Sequence, residues 1–107
     1  MKKIILAALL SSITTTGLYA GCVTGWCSDV EITRIYISAS GTINVKTSGD
    51  QTALDCTSAG SNTYLEIPNT GTQNALYSFF LTAKTTKSKV LVRIVEGSTG
   101  CQIAYAY

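Results

Sequence analysis

Four cysteines in a chain of 107 residues restrict the possible folds more than any other feature of this sequence. They stand at positions 22, 27, 56 and 101. An even number of cysteines in a short exported chain is typical of two disulfides, which stabilise a domain whose core is too small to do so alone. A zinc site is the competing interpretation, but the chain has neither a C-x-x-C pair nor a histidine. We therefore expect two disulfides and no metal site.

The sequence alone allows three pairings of these four cysteines. Of the three we favour the one that joins Cys56 to Cys101 and Cys22 to Cys27. The first bond would close a long loop, and on the chain-entropy model such a bond stabilises the fold by roughly 4 kcal/mol.

The first twenty residues have the features of a secretory signal peptide in the usual order. Two lysines precede an apolar run over residues 4–10, and the small residue Ala20 stands before Gly21. The run is too short to span a bilayer. A buried N-terminal helix and a lipoprotein signal that acylates Cys22 are the alternatives. We expect cleavage before Gly21, a secreted or periplasmic location, and one domain over residues 21–107.

Without the lysines of the leader, the chain has six basic residues (eight minus two) and six acidic ones, so its net charge is close to zero. A neutral chain has no general field to attract nucleic acid, and its strands show no evident ladder of aromatic residues to stack bases. The absence of histidine excludes the Ser-His-Asp and Cys-His nucleophile systems, and the carboxylates are scattered. We expect no enzyme, no cofactor and no nucleic-acid partner.

Five segments have the alternating or β-branched composition of strands. They are residues 30–37, 42–47, 63–67, 90–95 and 101–107. In the first segment the apolar residues change face between Ile32 and Ile35, and we expect a bulge near Thr33 that bends the strand and turns both ends inward. In the last segment, Tyr105 and Tyr107 are expected to share one face with the preceding isoleucine, residue 103.

One helix is expected between the third and fourth of these strands. Thr72 is a suitable N-cap residue, and the helix should end within residues 84–86. The apolar residues after Thr72 have the spacing of a single helical stripe. They are Leu76, Phe79, Phe80 and Ala83.

The resulting order is three strands, one helix and two strands, which is typical of the OB-fold, a small Greek-key barrel. The alternative is an open five-stranded α+β sheet with the helix across one face. The bend in the first strand favours the barrel. We therefore predict a mostly β chain that forms a small OB-fold-like, five-stranded Greek-key barrel with one helix between strands 3 and 4.

Four short segments of the chain follow one another in a recognisable order. Residues 27–35 (CSDVEITRI) combine a serine, a spacer and a Val-x-Ile-Thr strand, and Ala75–Tyr77, Thr85-Thr86 and Val90–Val92 follow as helix, turn and strand. Together they resemble the B subunits of subtilase cytotoxin and typhoid toxin. The resemblance implies a ring-shaped homopentamer that binds host-cell glycans, commonly sialylated, and delivers a separate catalytic A subunit. The chain is also similar to small exported bacterial proteins of unknown role with a Trp-Cys-Ser start.

The resemblance also implies which residues bind the glycan. The family's ligand-binding serine falls on Ser28, whose hydroxyl can donate to a sugar carboxylate beside the backbone amides at the strand start. An acidic residue of the family is matched approximately by Thr24, and an aromatic residue late in the fourth strand falls at Ile94. Arg93 or Lys46 would add positive charge that pairs with a carboxylate. The family's paired cysteines near the C-terminus have no counterpart here.

Two classes of function remain open on the sequence alone. We predict a secreted, homopentameric, glycan-binding B-type toxin subunit with a separate A subunit. The alternative is an exported structural or interaction protein of the same fold that has no toxin partner. An enzyme is the weakest hypothesis, because glycoside hydrolysis needs paired carboxylates in a cleft and this sequence suggests neither.

Overall fold

The computed structural model describes residues 21–58 and 64–107. The predicted signal peptide, residues 1–20, and the first residue of the predicted third strand lie outside the described residues. Within them the chain is mostly β, with two antiparallel sheets and one α-helix. This part of the chain contains no helix with the length and apolar character needed to cross a membrane.

The described residues form seven strands, one α-helix and a short 3-10 helix, which turns and loops connect. In chain order they are β1 (Gly21–Val23), β2 (Trp26–Val30), β3 (Ile32–Ile37), β4 (Ile43–Thr47), the 3-10 helix (Gln51–Ala53), β5 (Leu65–Ile67), α1 (Gln73–Thr86), β6 (Val90–Ile94) and β7 (Ile103–Ala106). One sheet has the strand order β1-β2-β6-β7, and the other has the order β3-β4-β5. All neighbours within each sheet are antiparallel.

Strands β2 and β3 are nearly one continuous strand that takes part in both sheets. Only Glu31 separates them, and the backbone N–H of Ser48 donates to its carbonyl at 2.9 Å. The register of the β3–β4 pair shifts between Ile32 and Arg34, which confirms the predicted bulge. Ile32 is buried and Ile35 packs against the core, as expected. Ile37 lies opposite the buried Ile43 on the same side of the sheet, but it is 54% exposed.

The two sheets do not close into a barrel, and this part of the fold prediction is wrong. The β5 side of one sheet meets the other sheet at a single parallel bridge between Glu66 and Gln102. Strand β5 has only three residues, and Pro68 follows it directly. Proline has no N–H to donate to a ladder, so the pairing cannot extend beyond Ile67. The predicted count of five strands is also not confirmed, because two further strands, β1 and most of β2, precede Val30.

Both sheets and the helix bury their apolar residues in one common core. Its largest fully buried side chains are Phe80, Leu65, Ile67, Ile94 and Ile103. On α1, Phe80 and Ala83 are buried, and Leu76 and Phe79 pack against the core from its edge. The predicted helical stripe is therefore confirmed. The helix follows Thr72 as expected, although the Thr72 side chain makes no capping hydrogen bond.

The 3-10 helix fixes the loop that follows β4. The Asp50 carboxylate accepts hydrogen bonds from both the hydroxyl and the backbone N–H of Thr52, and these bonds lower the pKa of Asp50 below its usual value. The buried side chain of Gln51 accepts a hydrogen bond from the backbone N–H of Thr47. The loop therefore has a defined conformation where it approaches the β1–β2 turn.

Both favoured disulfides are confirmed. The Cys22–Cys27 bond joins residues that face each other in the β1–β2 pair, with 3.9 Å between their Cα atoms. The Cys56–Cys101 bond joins the loop after the 3-10 helix to the residue before β7, across a sequence separation of 45. All four cysteines of the chain are thereby paired. Two disulfides are compatible with an extracellular or periplasmic protein.

The last strand differs from its predicted pattern. Ile103 is buried, whereas Tyr105 and Tyr107 are 51% and 72% exposed. The register of the β6–β7 pair shifts by one residue, and Ala104 is the additional residue on β7. A bulge reverses the alternation of side chains, so the two tyrosines point away from the core that contains Ile103.

The two disulfides should contribute unequally to stability. On the chain-entropy model, a cross-link that closes about 45 residues stabilises by roughly 4 kcal/mol, and one that closes about five residues by roughly 2 kcal/mol. We expect Cys56→Ala/Cys101→Ala to lower the free energy of unfolding by more than Cys22→Ala/Cys27→Ala does. Urea unfolding of the two double variants measures the difference. An equal or larger loss in the variant of the short loop would contradict this account.

Candidate functional site

Exposed aromatic and basic side chains form a continuous surface on the outer face of the four-stranded sheet. We call this surface the platform, and it consists of Trp26, Arg93, Tyr105 and Tyr107. Together with the half-buried Leu91, these side chains line a cavity of about 210 Å³. Aromatic rings are usually buried, so a group of three on one outer face needs an explanation.

The register of the strands brings the platform together. Trp26 of β2 lies opposite Arg93 of β6, which in turn lies opposite Tyr105 of β7. The guanidinium carbon of Arg93 lies 4.9 Å from the centroid of the Trp26 ring, which is a cation–π contact. The rings of Tyr105 and Tyr107 are almost parallel, at 7°, with their centroids 6.3 Å apart. The platform thus combines three exposed rings with a guanidinium that stacks on the ring of Trp26 and stands between Trp26 and Tyr105 in the strand register.

Arg93 is held in place from two further directions. Its Nη2 atom donates to Oε2 of Glu96 at 3.2 Å, and this pair lies over Gly25 in the β1–β2 turn. A Cβ atom at position 25 would come within 2.5 Å of Glu96 Oε2 and 2.9 Å of Arg93 Nη1. Glycine leaves room for this close approach. A larger residue at position 25 would displace the ends of the Arg93 and Glu96 side chains from the positions they have here.

Thr24, one of the predicted site residues, stands at the rim of the platform. It has a φ of 45°, which is uncommon for a β-branched residue. Two backbone hydrogen bonds hold this conformation. The Thr24 N–H donates to the carbonyl of Ala53 at 3.2 Å, and the N–H of Asp55 donates to the Thr24 carbonyl at 2.8 Å. The loop after the 3-10 helix thereby fixes the turn that leads into Trp26.

Ser28 lies in a bulge of β2. The register of the β2–β6 pair shifts between Cys27 and Val30, which are both buried. The two residues between them, Ser28 and Asp29, therefore lie on the outer side, and Asp29 has a φ of 54°. The half-buried Ser28 thus belongs to the same outer face as Trp26. The predicted residues Ser28, Thr24 and Arg93 all lie along this face and its rim.

Lys46 belongs to a different surface. It lies on β4 in the three-stranded sheet, and its ammonium nitrogen is 5.9 Å from the centroid of the Tyr64 ring. The platform and Lys46 are therefore on the outer faces of two sheets that pack on a common core. Ile94, where the resemblance places a family aromatic, is buried in that core.

The three aromatic residues of the platform are not predicted by the sequence pattern. That pattern indicates no strand before Val30, so Trp26 has no predicted neighbours. The bulge at Ala104 turns Tyr105 and Tyr107 outward, against the expected alternation. The expectation of no exposed aromatic ladder is therefore wrong. A signal is present in the sequence, because both tyrosines stand two residues apart at the end of the last strand.

No protein-family model, no curated protein and no solved structure matches the chain. The similarity to toxin B subunits therefore stays a prediction that depends on four short segments. The geometry of the described residues, 21–58 and 64–107, also shows no group of three or more Cys, Asp or Glu side chains placed to hold a metal ion.

The contact between Arg93 and Trp26 can be tested directly, because Trp26 is the only tryptophan of the chain. We expect Arg93→Gln and Gly25→Ala each to increase quenching of tryptophan fluorescence by acrylamide, since both remove the guanidinium from the ring face. The free energy of unfolding should change by less than about 1 kcal/mol, because exposed ion pairs contribute little. Lys89→Gln, at an exposed position outside the platform, is the control. Unchanged quenching in Arg93→Gln would contradict the contact.

Proposed function

We propose that the chain is an exported glycan-binding subunit and that the platform is its saccharide site. One observation carries this proposal. Three exposed rings lie on the outer face of a sheet, together with a guanidinium that stacks on one of them, the ring of Trp26. Ring faces pack well against the apolar face of a flat ring, and the donors of Arg93 and Ser28 can bond to its oxygens. This combination suits a sugar, which has both an apolar face and a rim of hydroxyls.

The size and rigidity of the platform support a small sugar ligand. Its cavity of about 210 Å³ is smaller than the roughly 300–1,000 Å³ of sites for drug-sized ligands, and it suits a single ring. Trp26 is flanked by a disulfide on one side and by the Thr24 turn on the other. Arg93 is fixed by Glu96. Because these side chains are ordered before a ligand arrives, less conformational entropy is lost on binding.

The charge of Arg93 supports a carboxylated sugar, in agreement with the sialylated glycans that the resemblance implies. A guanidinium forms its strongest hydrogen bonds with a carboxylate. In this case the ligand would compete with Glu96, which is the ion-pair partner of Arg93 in this structure. The side chain of Glu96 is 40% exposed, so it can move into solvent when the ligand binds.

The second candidate function is an exported interaction protein without a toxin partner. The platform also favours this possibility, because Trp, Tyr and Arg are the residues enriched at the energetic centres of protein–protein interfaces. The two candidates differ in what binds. A sugar site is saturated by free saccharides, whereas a protein interface is indifferent to them.

A shallow sugar site binds weakly, near millimolar or about −4 kcal/mol, so useful affinity requires several sites in one assembly. The surface beside the platform supports such an assembly. Strand β7 is the last strand of its sheet, and its outer edge lies beside an apolar groove of about 340 Å³. The groove is lined by α1 and β7, mainly through Ala75, Leu76, Phe79, Ala104 and Ala106. We therefore expect a homo-oligomer. Its pentameric form and the separate A subunit come from the resemblance alone.

Binding on a glycan array tests the sugar site. We expect Trp26→Ala to remove detectable binding, since it removes both a ring face and the support of Arg93. Ser28→Ala should weaken binding about tenfold, by the loss of one hydrogen bond to a charged group. Leu81→Ala, which truncates an exposed apolar side chain of α1 that lines neither the platform nor the groove, is the control and should bind as the wild type does.

We expect all three variants to fold, because their positions lie outside the buried core, and circular dichroism checks this. Undiminished binding by folded Trp26→Ala would place the site elsewhere. A wild type that binds no glycan would favour the interaction protein.

Light scattering tests the oligomer. We expect the wild type to be larger than a monomer at tens of micromolar, about the range in which such assemblies are studied. Ala75→Glu should dissociate it, because a carboxylate would lie in the apolar groove at an exposed position of α1. Lys84→Glu, near the end of the same helix, is the control. A monomeric wild type, or an intact oligomer in Ala75→Glu, would contradict this interface.

A further inference from the structure

A second group of basic and aromatic side chains lies on the outer face of the three-stranded sheet. We call it the basic face, and it consists of Arg34, Tyr36, Lys46 and Tyr64. The bulge at the start of β3 creates it. Without the register shift between Ile32 and Arg34, Arg34 would share the inward side with Ile32; with it, Arg34 and Tyr36 are both exposed.

The four side chains are close enough to contact one ligand. Arg34 lies directly opposite Lys46 in the β3–β4 pair. Nη1 of Arg34 donates to the Tyr64 hydroxyl at 3.4 Å, and Nζ of Lys46 lies 5.9 Å from the centroid of the same ring. The rings of Tyr36 and Tyr64 are tilted by 33°, with 5.8 Å between their centroids. Two adjacent cations therefore lie beside the ring of Tyr64, which contacts the ring of Tyr36.

Neither cation of the basic face forms an ion pair among the described residues. Across residues 21–58 and 64–107, the ion pair between Arg93 and Glu96 is the only one. Glu66 lies on the same outer face, opposite Asn44, but its carboxylate lies against Gly100 and forms no ion pair with Lys46 or Arg34. Like charges that face each other across two strands destabilise a sheet. A bound anion would relieve this repulsion.

We infer that the basic face is a second saccharide site, one that binds a sugar carrying a sulfate ester. Two adjacent cations match the oxygens of the sulfate group, and Arg34 can donate two parallel hydrogen bonds to it. The two tyrosine rings offer a surface for the attached sugar ring. Lys46 and Tyr64 are half-buried, so their side chains have fewer alternative positions to lose on binding.

This site is separate from the platform and does not depend on it. The platform lies on the sheet that contains β6 and β7, whereas the basic face lies on β3, β4 and the start of β5. The inference also gives a role to Lys46, which the platform leaves out. A chain with both sites would bind two different sugars, or two parts of one sulfated polysaccharide.

Isotope-edited NMR titrations of the mature chain test the inference. The probe is N-acetylglucosamine 6-sulfate, and N-acetylglucosamine, inorganic sulfate and adenosine monophosphate are titrated in parallel. We expect the sulfated sugar to shift the amides of β3 and β4 with a Kd near millimolar, and to leave those of β6 and β7 in place. The sugar without sulfate should bind at least about tenfold more weakly, since it lacks the charged hydrogen bonds.

Charge variants identify the residues that bind. We expect Arg34→Gln and Lys46→Gln each to weaken binding about tenfold, by the loss of one charged hydrogen bond. Lys89→Gln removes the same charge at an exposed position outside the site and should bind as the wild type does. Trp26→Ala should also bind the sulfated sugar normally, so that failure of the platform and failure of the basic face are distinguished.

Several results would overturn the inference. An equal loss in Lys89→Gln would mean that only the net charge matters. Shifts at β6 and β7 would place the sulfated sugar on the platform. Inorganic sulfate that binds as tightly as the sulfated sugar would show that the rings contribute nothing. Preference for adenosine monophosphate would assign the basic face to nucleotides.

Discussion

The backbone from Trp26 to Ile37 belongs to both sheets, and the rest of the structure depends on this shared segment. Its first half pairs with β1 and β6, its second half pairs with β4, and only Glu31 stands between the halves. A strand that takes part in two sheets bends between them. A bulge, which is one extra residue on one strand, bends the backbone, and each half of this segment contains one. Because the segment is covalently continuous, the two sheets pack their inner faces on a single core that contains residues of both.

The bulges that accompany this bend also place the candidate functional residues. The bulge in β2 keeps Val30 buried although Trp26 and Ser28, on the same strand, face outward, and the bulge in β3 turns Arg34 to the outer face of the three-stranded sheet. A third bulge, in β7, turns Tyr105 outward although Ile103, two residues earlier on the same strand, is buried. Each bulge reverses the side-chain alternation, so polar and aromatic residues accumulate outside while the core stays apolar. The two proposed sugar sites are therefore consequences of the same packing requirement, on opposite sides of one core.

Prediction from the sequence succeeds where the signal is local and fails where it depends on register. The helical stripe of Leu76, Phe79 and Phe80 and the bulge near Thr33 follow from spacing alone, and both are confirmed. The favoured pairing of Cys22 with Cys27 is confirmed as well. The closed barrel is wrong because closure depends on pairing between β5 and the distant segment before β7, which is limited to one bridge between Glu66 and Gln102 and has no local signal in the sequence. The platform escapes prediction because Trp26, Arg93 and Tyr105 meet only through the alignment of three strands distant in sequence.

The platform derives its position from these alignments and its chemistry from exposed rings around a fixed guanidinium. Its role as a sugar site is the central claim, and the indole N–H of Trp26 reports on it without ambiguity because the chain has no other tryptophan. The most direct measurement is an NMR titration of the protein with a sialylated trisaccharide, following this one resonance. We expect it to shift in a saturable way with a Kd near millimolar, together with the amides of β6 and β7. An indole resonance that stays in place at saturating sugar would contradict the account.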